Sequence, residues 1–201
     1  MKVIGDVEQG SDEWLRLRLG VITASKYKDV LSKGKGLTRA SYMRQLAAES
    51  LTGEVQALYK NDAMQWGTET EPQARAMYEL MQCETVEEVT FITHDDINTG
   101  VSPDGLVGDC GLVEFKCPNT STQIETFLSG KMPTSHRAQV QGQMWVSERK
   151  WCDFVSFDPR IHGASSYFCV RVHRDEKYIS ELELEVIKFD SELKEMIDKL
   201  T

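Results

Sequence analysis

Two carboxylates and one lysine carry the clearest chemical signal in this sequence. Asp104 lies in a short Ser-Pro-Asp-Gly segment, and Glu114 and Lys116, separated by a single residue, follow ten and twelve positions later. Successive side chains of a strand point to opposite faces, so Glu114 and Lys116 share one face while Val113 and Phe115 point into the core. This spacing favours a site in which an ammonium group lies beside a carboxylate.

A hairpin is predicted to bring Asp104 close to Glu114 and Lys116. Residues 108–111 read Gly-Asp-Cys-Gly, a strong turn signal between strands predicted at Asn98–Val107 and Leu112–Cys117. If the turn closes a symmetric hairpin, Asp104 falls opposite Glu114. Two carboxylates and one ammonium group then converge at one end of a sheet.

Such a group is suited to magnesium-dependent hydrolysis of phosphodiesters. Mg2+ prefers hard oxygen ligands, usually one or two carboxylates with waters and substrate phosphate oxygens. The ion can lower the pKa of an attacking water and neutralise charge on the phosphorus oxygens. The Phe115 carbonyl is a further candidate ligand, and Lys116 is placed to orient the water or stabilise the transition state. Taken alone, a Glu-x-Lys pair more often forms a solvated ion pair, and Asp104 is what favours catalysis.

Further polar residues fit the same site, although each has a simpler explanation. Glu71 falls in the first turn of a helix predicted at Gly67–Met81, where an acidic residue also interacts favourably with the helix dipole. Gln139 and Gln143 are four residues apart and share a helical face, where their amides can hold a water or a phosphate oxygen. Ordinary exposed helix polarity is the alternative for both.

The elements that must position these residues follow from hydrophobic periodicity and turn signals. Helices are predicted around Trp14–Leu19 and at Arg39–Leu51, Gly67–Met81, Ser135–Arg149 and Asp175–Leu200. A further helix is predicted to begin after an N-cap at Thr23 or Ser25. Strands are predicted at Val86–Thr93, Asn98–Val107, Leu112–Cys117, Trp151–Phe157 and Ser166–Val172. The pattern indicates an α/β fold, a small mixed β-sheet flanked by helices, in a single domain over residues 1–201.

Composition restricts the class of protein. The 201 residues carry a net charge of -9, which argues against a protein that simply coats DNA. A nuclease remains compatible if positive charge lines one groove while the exterior stays acidic. Five cysteines without a Cys-x-x-Cys pair indicate reduced thiols and a cytoplasmic protein, and no apolar run is long enough to cross a membrane.

The sequence resembles the lambda-exonuclease (YqaJ-type viral recombinase) branch of the PD-(D/E)xK nucleases over nearly its whole length. The blocks that carry the resemblance occur in the family's order: Gln9–Trp14, Leu17–Ser25, Trp66–Gly67 with Glu71, Ser102–Leu106, Gly111–Pro118, Ala138–Gln141 with Met144–Val146, and Asp175–Tyr178. The resemblance implies a PD-(D/E)xK restriction-endonuclease-like core. It also implies a 5′-to-3′ exonuclease that degrades one strand of duplex DNA into mononucleotides and leaves a 3′ tail.

The resemblance also implies a role for individual residues. Asp104, Glu114 and the Phe115 carbonyl would hold Mg2+ as two ions, with Mn2+ as a substitute, and Lys116 would position the water. Glu71 and Gln139 would complete the site. The residues implied in binding the 5′-phosphate are Arg18, Ser25 and Ser102. Those implied in contacting the duplex are Met64, as an apolar wedge, and Lys33 and Lys35.

At the level of the assembly, the resemblance implies a ring-shaped homotrimer around double-stranded DNA, a single-strand annealing protein as partner, and a phage or prophage origin. Two other readings share the same residues. One is a PD-(D/E)xK endonuclease, such as a restriction enzyme or resolvase, which needs no 5′-phosphate pocket. The other is a non-catalytic scaffold that binds DNA ends, which clustered carboxylates disfavour because like charges are costly without a metal. A metal site of Cys110, Cys117 and His136 has suitable ligands but no recognisable spacing.

Overall fold

A computed structural model describes residues 1–4, 7–32, 37–55 and 62–201 of the chain. The two basic residues expected to contact the duplex, Lys33 and Lys35, lie outside these described residues. No helix within the described ranges is long and apolar enough to cross a membrane.

The described chain alternates short strands with helices. The strands are β1 (Lys2–Ile4), β2 (Ile22–Thr23), β3 (Val86–Glu87), β4 (Phe91–Thr93), β5 (Thr99–Val101), β6 (Gly105–Val107), β7 (Gly111–Lys116), β8 (Trp151–Phe157) and β9 (Tyr167–His173). The helices are α1 (Asp12–Leu17), α2 (Tyr27–Val30), α3 (Leu37–Thr52), α4 (Asp62–Gln82), α5 (Thr120–Ser129), α6 (Arg137–Val146) and α7 (Glu176–Asp198). Short 3-10 turns lie at Ala24–Lys26, Thr134–His136 and Ala164–Ser166.

The strands form two mixed sheets rather than one. A five-stranded sheet has the order β3-β6-β7-β8-β9, in which β7 and β8 are parallel and the other neighbours are antiparallel. A four-stranded sheet has the order β1-β4-β5-β2. The predictions of single strands at Val86–Thr93 and Asn98–Val107 are therefore wrong, because each segment is divided between the two sheets. Pro103 lies at the second crossing, where its missing N–H cannot continue a ladder.

The hairpin register predicted from the sequence is confirmed. β6 and β7 pair Gly105 with Val113 and Val107 with Gly111. Continued by one residue, this register places Asp104 opposite Glu114.

Two clusters of buried apolar side chains surround the five-stranded sheet. One joins α2, α3, α6 and α7, and the long stripe of α7 contributes Leu182, Val186, Phe189 and Leu193 to it, as the periodicity predicted. The other lies under α4 and includes Tyr78, Val113 and Phe115. Burial of one such side chain contributes about 1.5–3 kcal/mol. The two clusters hold α6 and α4 against β7.

Several boundaries differ from the prediction for local reasons. The helices predicted to end at Met81 and Leu200 end at Gln82 and Asp198, and the side chains of Met81 and Leu200 are 58% and 63% exposed. Thr23 precedes a 3-10 turn and makes no side-chain cap, so the predicted N-cap is wrong. The helix expected at Trp14–Leu19 ends at Leu17, three residues before Gly20 takes a left-handed conformation with φ of 67°.

Helix α5 was not predicted because its sequence is mostly polar, yet both of its ends are specified. The side chain of Asn119 accepts a hydrogen bond from the Thr122 N–H at 2.9 Å, and Gly130 ends the helix with φ of 62°.

Candidate active site

Glu114 lies at the centre of the site, on β7. Its side chain is only 1% exposed, so the carboxylate needs hydrogen-bond donors in place of water. Oε1 accepts from Lys116 Nζ and, at 2.5 Å, from Gln139 Nε2, while Oε2 accepts from Gln143 Nε2 at 2.6 Å. Both glutamines come from one face of α6, so this helix and the strand together fix the orientation of the carboxylate.

Asp104 is placed next to β7 by a hydrogen bond from the chain itself. The Phe115 N–H donates to Asp104 Oδ2 at 2.6 Å. In this register Phe115 falls opposite Pro103, which has no N–H to give to the Phe115 carbonyl. Because the N–H and C=O of a strand residue point to the same side, that carbonyl faces Asp104 as well. Asp104 and Phe115 therefore present two oxygen ligands at one point.

The electrostatics of the site favour a bound cation. Burial, followed by the charge of Glu114, raises the pKa of Asp104 well above its usual range. Burial alone would lower the pKa of Lys116, but the carboxylates of Glu114 and Asp104 more than offset it and the pKa of Lys116 is raised. Lys116 thus stays cationic, and the carboxylates still repel each other.

The ligand set fits Mg2+ with substrate present rather than a complete protein cage. No group of three or more His, Cys, Asp or Glu side chains in the described parts of the chain is arranged to hold a metal ion. Mg2+ usually takes only one or two carboxylates from the protein and keeps waters and phosphate oxygens for its other positions. Two carboxylates and one carbonyl satisfy that requirement.

Glu71 faces the same site from α4 but does not join the other carboxylates as a third close ligand. Its Oε1 lies 3.6 Å from Arg75 Nη2, one helical turn away. Burial raises the pKa of Glu71, the charge of Arg75 opposes that rise, and the charge of Glu114 adds to it. Glu71 therefore lies within the electric field of the site, and its side chain is 35% exposed against 19% for Arg75.

A large groove of about 1480 Å3 leads away from the carboxylates. Residues from five parts of the sequence line it, among them Asp104, Glu71, Met64, Arg18 and Ser25. The groove thus connects the candidate metal ligands with the residues implied in binding a 5′-phosphate.

Arg18 and Ser102 meet at one tryptophan. The guanidinium carbon of Arg18 lies 4.0 Å from the centre of the Trp14 ring, and Trp14 Nε1 donates to Ser102 Oγ at 3.2 Å. Burial lowers the pKa of Arg18. Within the described ranges its guanidinium makes no hydrogen bond or ion pair, so its donors are available to an anion. Ser25 is exposed and lies 3.4 Å, Oγ to Oγ, from Thr23.

Met64 lies in the first turn of α4, is half exposed and lines the groove. The role of Met64 as a wedge stays a prediction.

The two-sheet fold and the Asp-Glu-Lys arrangement define the class: the chain has the fold of the PD-(D/E)xK nucleases. A sequence profile for the YqaJ-like viral recombinase domain matches residues 13–150. The chain belongs to this YqaJ-like viral recombinase family, and the resemblance drawn from the sequence is confirmed.

Solved structures agree with this assignment. An alkaline exonuclease from Laribacter hongkongensis is 47% identical, with a TM-score of 0.90 over 94% of this chain and 96% of that one. A second structure of that exonuclease, in complex with dAMP, matches equally well. A phage-related exonuclease from Haemophilus somnus 129PT, at 18% identity and a TM-score of 0.66, shares the fold. No curated protein matches the chain. The chain is thus a homologue of exonucleases within a family of recombination proteins.

Two residues of the site were missed or undervalued in the sequence. Gln143 was expected to hold a water or a phosphate oxygen or to be exposed helix polarity, yet it is 1% exposed and its amide donates to Glu114. Arg75 was not singled out, although it stands four residues after Glu71, a spacing that predicts an ion pair.

Proposed function

We propose that this chain is a magnesium-dependent 5′-to-3′ exonuclease of double-stranded DNA. It releases mononucleotides and leaves 3′ single-stranded tails for homologous recombination of the phage type. The observation that carries the proposal is the groove, which is lined both by Asp104, beside Glu114, and by Arg18, whose guanidinium makes no hydrogen bond or ion pair with the described residues. The complex of the Laribacter exonuclease with dAMP supports a mononucleotide as product.

The proposed roles follow from the contacts. Asp104, Glu114 and the Phe115 carbonyl hold the metal, as two Mg2+ ions or as Mn2+ in their place, and the metal activates water and neutralises phosphate charge when bound. Lys116 remains protonated beside Glu114 and stabilises negative charge on the scissile phosphate. Gln139 keeps the Glu114 carboxylate in place.

The end of the DNA is recognised at the other part of the groove. Arg18 offers a guanidinium fork to the terminal phosphate, and Ser25 and Ser102 add hydroxyl donors. Met64 lines the same groove, and we propose that its apolar side chain separates the last base pairs. Lys33 and Lys35 are proposed to contact the duplex.

The proposal extends to the assembly. Residues 1–201 form one nuclease domain, three copies close into a ring around DNA, and a single-strand annealing protein receives the exposed strand. The protein acts in the cytoplasm of a bacterial host and is encoded by a phage or prophage.

A single assay tests the nuclease proposal. Linear duplex DNA with a 5′-phosphate on one end and a 5′-hydroxyl on the other is incubated with Mg2+ or EDTA, and the products of wild type and Lys116→Ala are compared. We expect mononucleotides from the phosphorylated end with Mg2+ alone, and a loss of at least about 100-fold in Lys116→Ala, because one electrostatic donor is worth that much in related chemistry.

A covalently closed circle and Arg18→Ala separate the competing functions. Cleavage of the circle would favour an endonuclease, and end binding without cleavage would favour a scaffold. In Arg18→Ala, the preference for the phosphorylated end should disappear while metal dependence remains.

A further inference from the structure

Arg75 connects three segments that meet at the candidate metal site. From α4, its Nη2 donates to the backbone carbonyl of Asp104 at 3.1 Å and lies 3.6 Å from Glu71 Oε1. Its Nη1 lies 2.9 Å from Glu88 Oε1, in the segment between β3 and β4. The guanidinium carbon is also 5.9 Å from the centre of the Phe115 ring, within the range of a cation–π interaction.

We propose that Arg75 is a positioning residue, which holds Asp104 in place as a metal ligand and fixes the distance of Glu71 from it. The inference rests on the proposed function, because it assumes that Asp104 is a metal ligand. Arg75 itself does not contact the reacting atoms and acts through the residues that it holds.

The argument for positioning comes from where Asp104 lies in the chain. Asp104 directly precedes β6, outside the ladder, and its side chain is held by one hydrogen bond from Phe115. A second contact, from Arg75 to the carbonyl, is needed to fix the backbone that carries the carboxylate. Arg75 is suited to this role because a guanidinium donates in several directions at once, whereas a lysine is a single point charge.

The same contacts connect α4 to the sheet. Glu71 and Arg75 lie one turn apart on α4, so an Arg75 that is fixed to Asp104 also fixes the distance of Glu71 from the site. Glu88 is 79% exposed on its side chain and lies on the outer side of Arg75. We therefore expect Glu88 to contribute little, because exposed ion pairs are worth about 0–1 kcal/mol.

The test measures binding of Mn2+ to the DNA-free protein by electron paramagnetic resonance, alongside metal-dependent cleavage of duplex ends. In Arg75→Ala the dissociation constant for Mn2+ should rise about 10–100-fold, the usual effect of removing a residue that supports a ligand. Arg75→Lys should fold normally and show a smaller rise. Glu88→Gln should bind Mn2+ as wild type does.

Arg174→Ala is the matched control. The side chains of Arg174 and Arg75 are 22% and 19% exposed, and both combine glutamate ion pairs with hydrogen bonds to backbone carbonyls, but Arg174 pairs with Glu176 and donates to the carbonyls of Met144 and Arg149. Arg174→Ala should lower the melting temperature without changing Mn2+ affinity. An Arg75→Ala protein that is folded, binds Mn2+ like wild type and shows a weaker salt dependence of DNA binding would overturn the inference, since Arg75 would then be a phosphate contact. A wild type that binds no Mn2+ would instead overturn the proposed metal site.

Discussion

A buried carboxylate such as Glu114 requires hydrogen-bond donors as its neighbours. Its two oxygens accept from Lys116, Gln139 and Gln143, and only Lys116 among these donors carries a charge. Two neutral amides hold the carboxylate in one orientation without cancelling its charge, which leaves that charge available to a metal. Gln143 is the most deeply buried of the three donors.

Gln143→Met tests this role by removing the amide while keeping the length of the side chain. We expect metal-dependent cleavage to fall about 10–100-fold, because the support of a ligand is lost. Gln141→Met is the control: Gln141 lies on the same helix, is equally buried and bonds the backbone of His173 and Asp175 instead. It should lower the melting temperature and leave the cleavage rate of folded protein near that of wild type. Equal loss of cleavage in both variants would mean that α6 matters only for stability.

At the scale of elements, the site depends on how closely α6 approaches α2. A Cβ atom at Gly142 of α6 would lie 2.2 Å from the ring of Tyr27. Tyr27 is fully buried and its hydroxyl lies 2.6 Å from Thr99 Oγ1, so the ring cannot swing away. Glycine is therefore required at this contact, and it lies on the same helix as Gln139 and Gln143.

Gly142→Ala is expected to lower the free energy of unfolding by about 1–3 kcal/mol, the usual result of overpacking a core. Urea denaturation measures the change. Gly67→Ala provides the comparison, because a Cβ there meets no atom within 4 Å and the position is inside α4. That substitution should be neutral or stabilise by up to about 1 kcal/mol, since alanine favours the helix. A Gly142→Ala protein as stable as wild type would show that α2 and α6 can separate.

The elements also show what the sequence can and cannot predict. The register of β6 and β7 was predictable because the turn at residues 108–111 and the alternation around Glu114 specify the same pairing. The division of residues 86–93 and 98–107 between two sheets was not, because sheet membership depends on partners distant in sequence. Helix α5 carries a recognisable cap at each end, Asn119 and Gly130, and these signals would have found it.

Among the contacts of the site, some could likewise be predicted from the sequence and others could not. Glu71 and Gln139 were predicted from family resemblance, and the hydrogen bond from Gln139 to Glu114 is present. The contact of Arg75 with the Asp104 carbonyl crosses 29 residues and involves a backbone atom. No pattern of side chains in a sequence indicates such a bond.

At the scale of the whole molecule, charge is expected to control how DNA is loaded onto the protein, but not how a ring would retain it. The chain has a net charge of -9, and the groove is lined by five acidic and three basic side chains, so the proposed contact with duplex DNA depends on local cations such as Arg18. Loading onto an end should therefore weaken steeply as salt rises, because each phosphate contact releases condensed counterions. A closed ring, if it forms, retains DNA by topology, which salt does not screen.

Adding salt before or after DNA distinguishes loading from retention. When about 0.2 M salt is added before DNA, we expect degradation to be strongly suppressed, as affinity from several phosphate contacts falls by orders of magnitude. When the same salt is added after loading, most bound molecules should continue along their strand if the proposed trimeric ring encloses the duplex. Release of labelled mononucleotides over time, with sedimentation to determine the number of 22.8 kDa chains per particle, measures both parts. Equal suppression in either order, together with a monomeric particle, would mean that ionic contacts alone hold the DNA, and processive degradation would then have to come from the groove of a single chain.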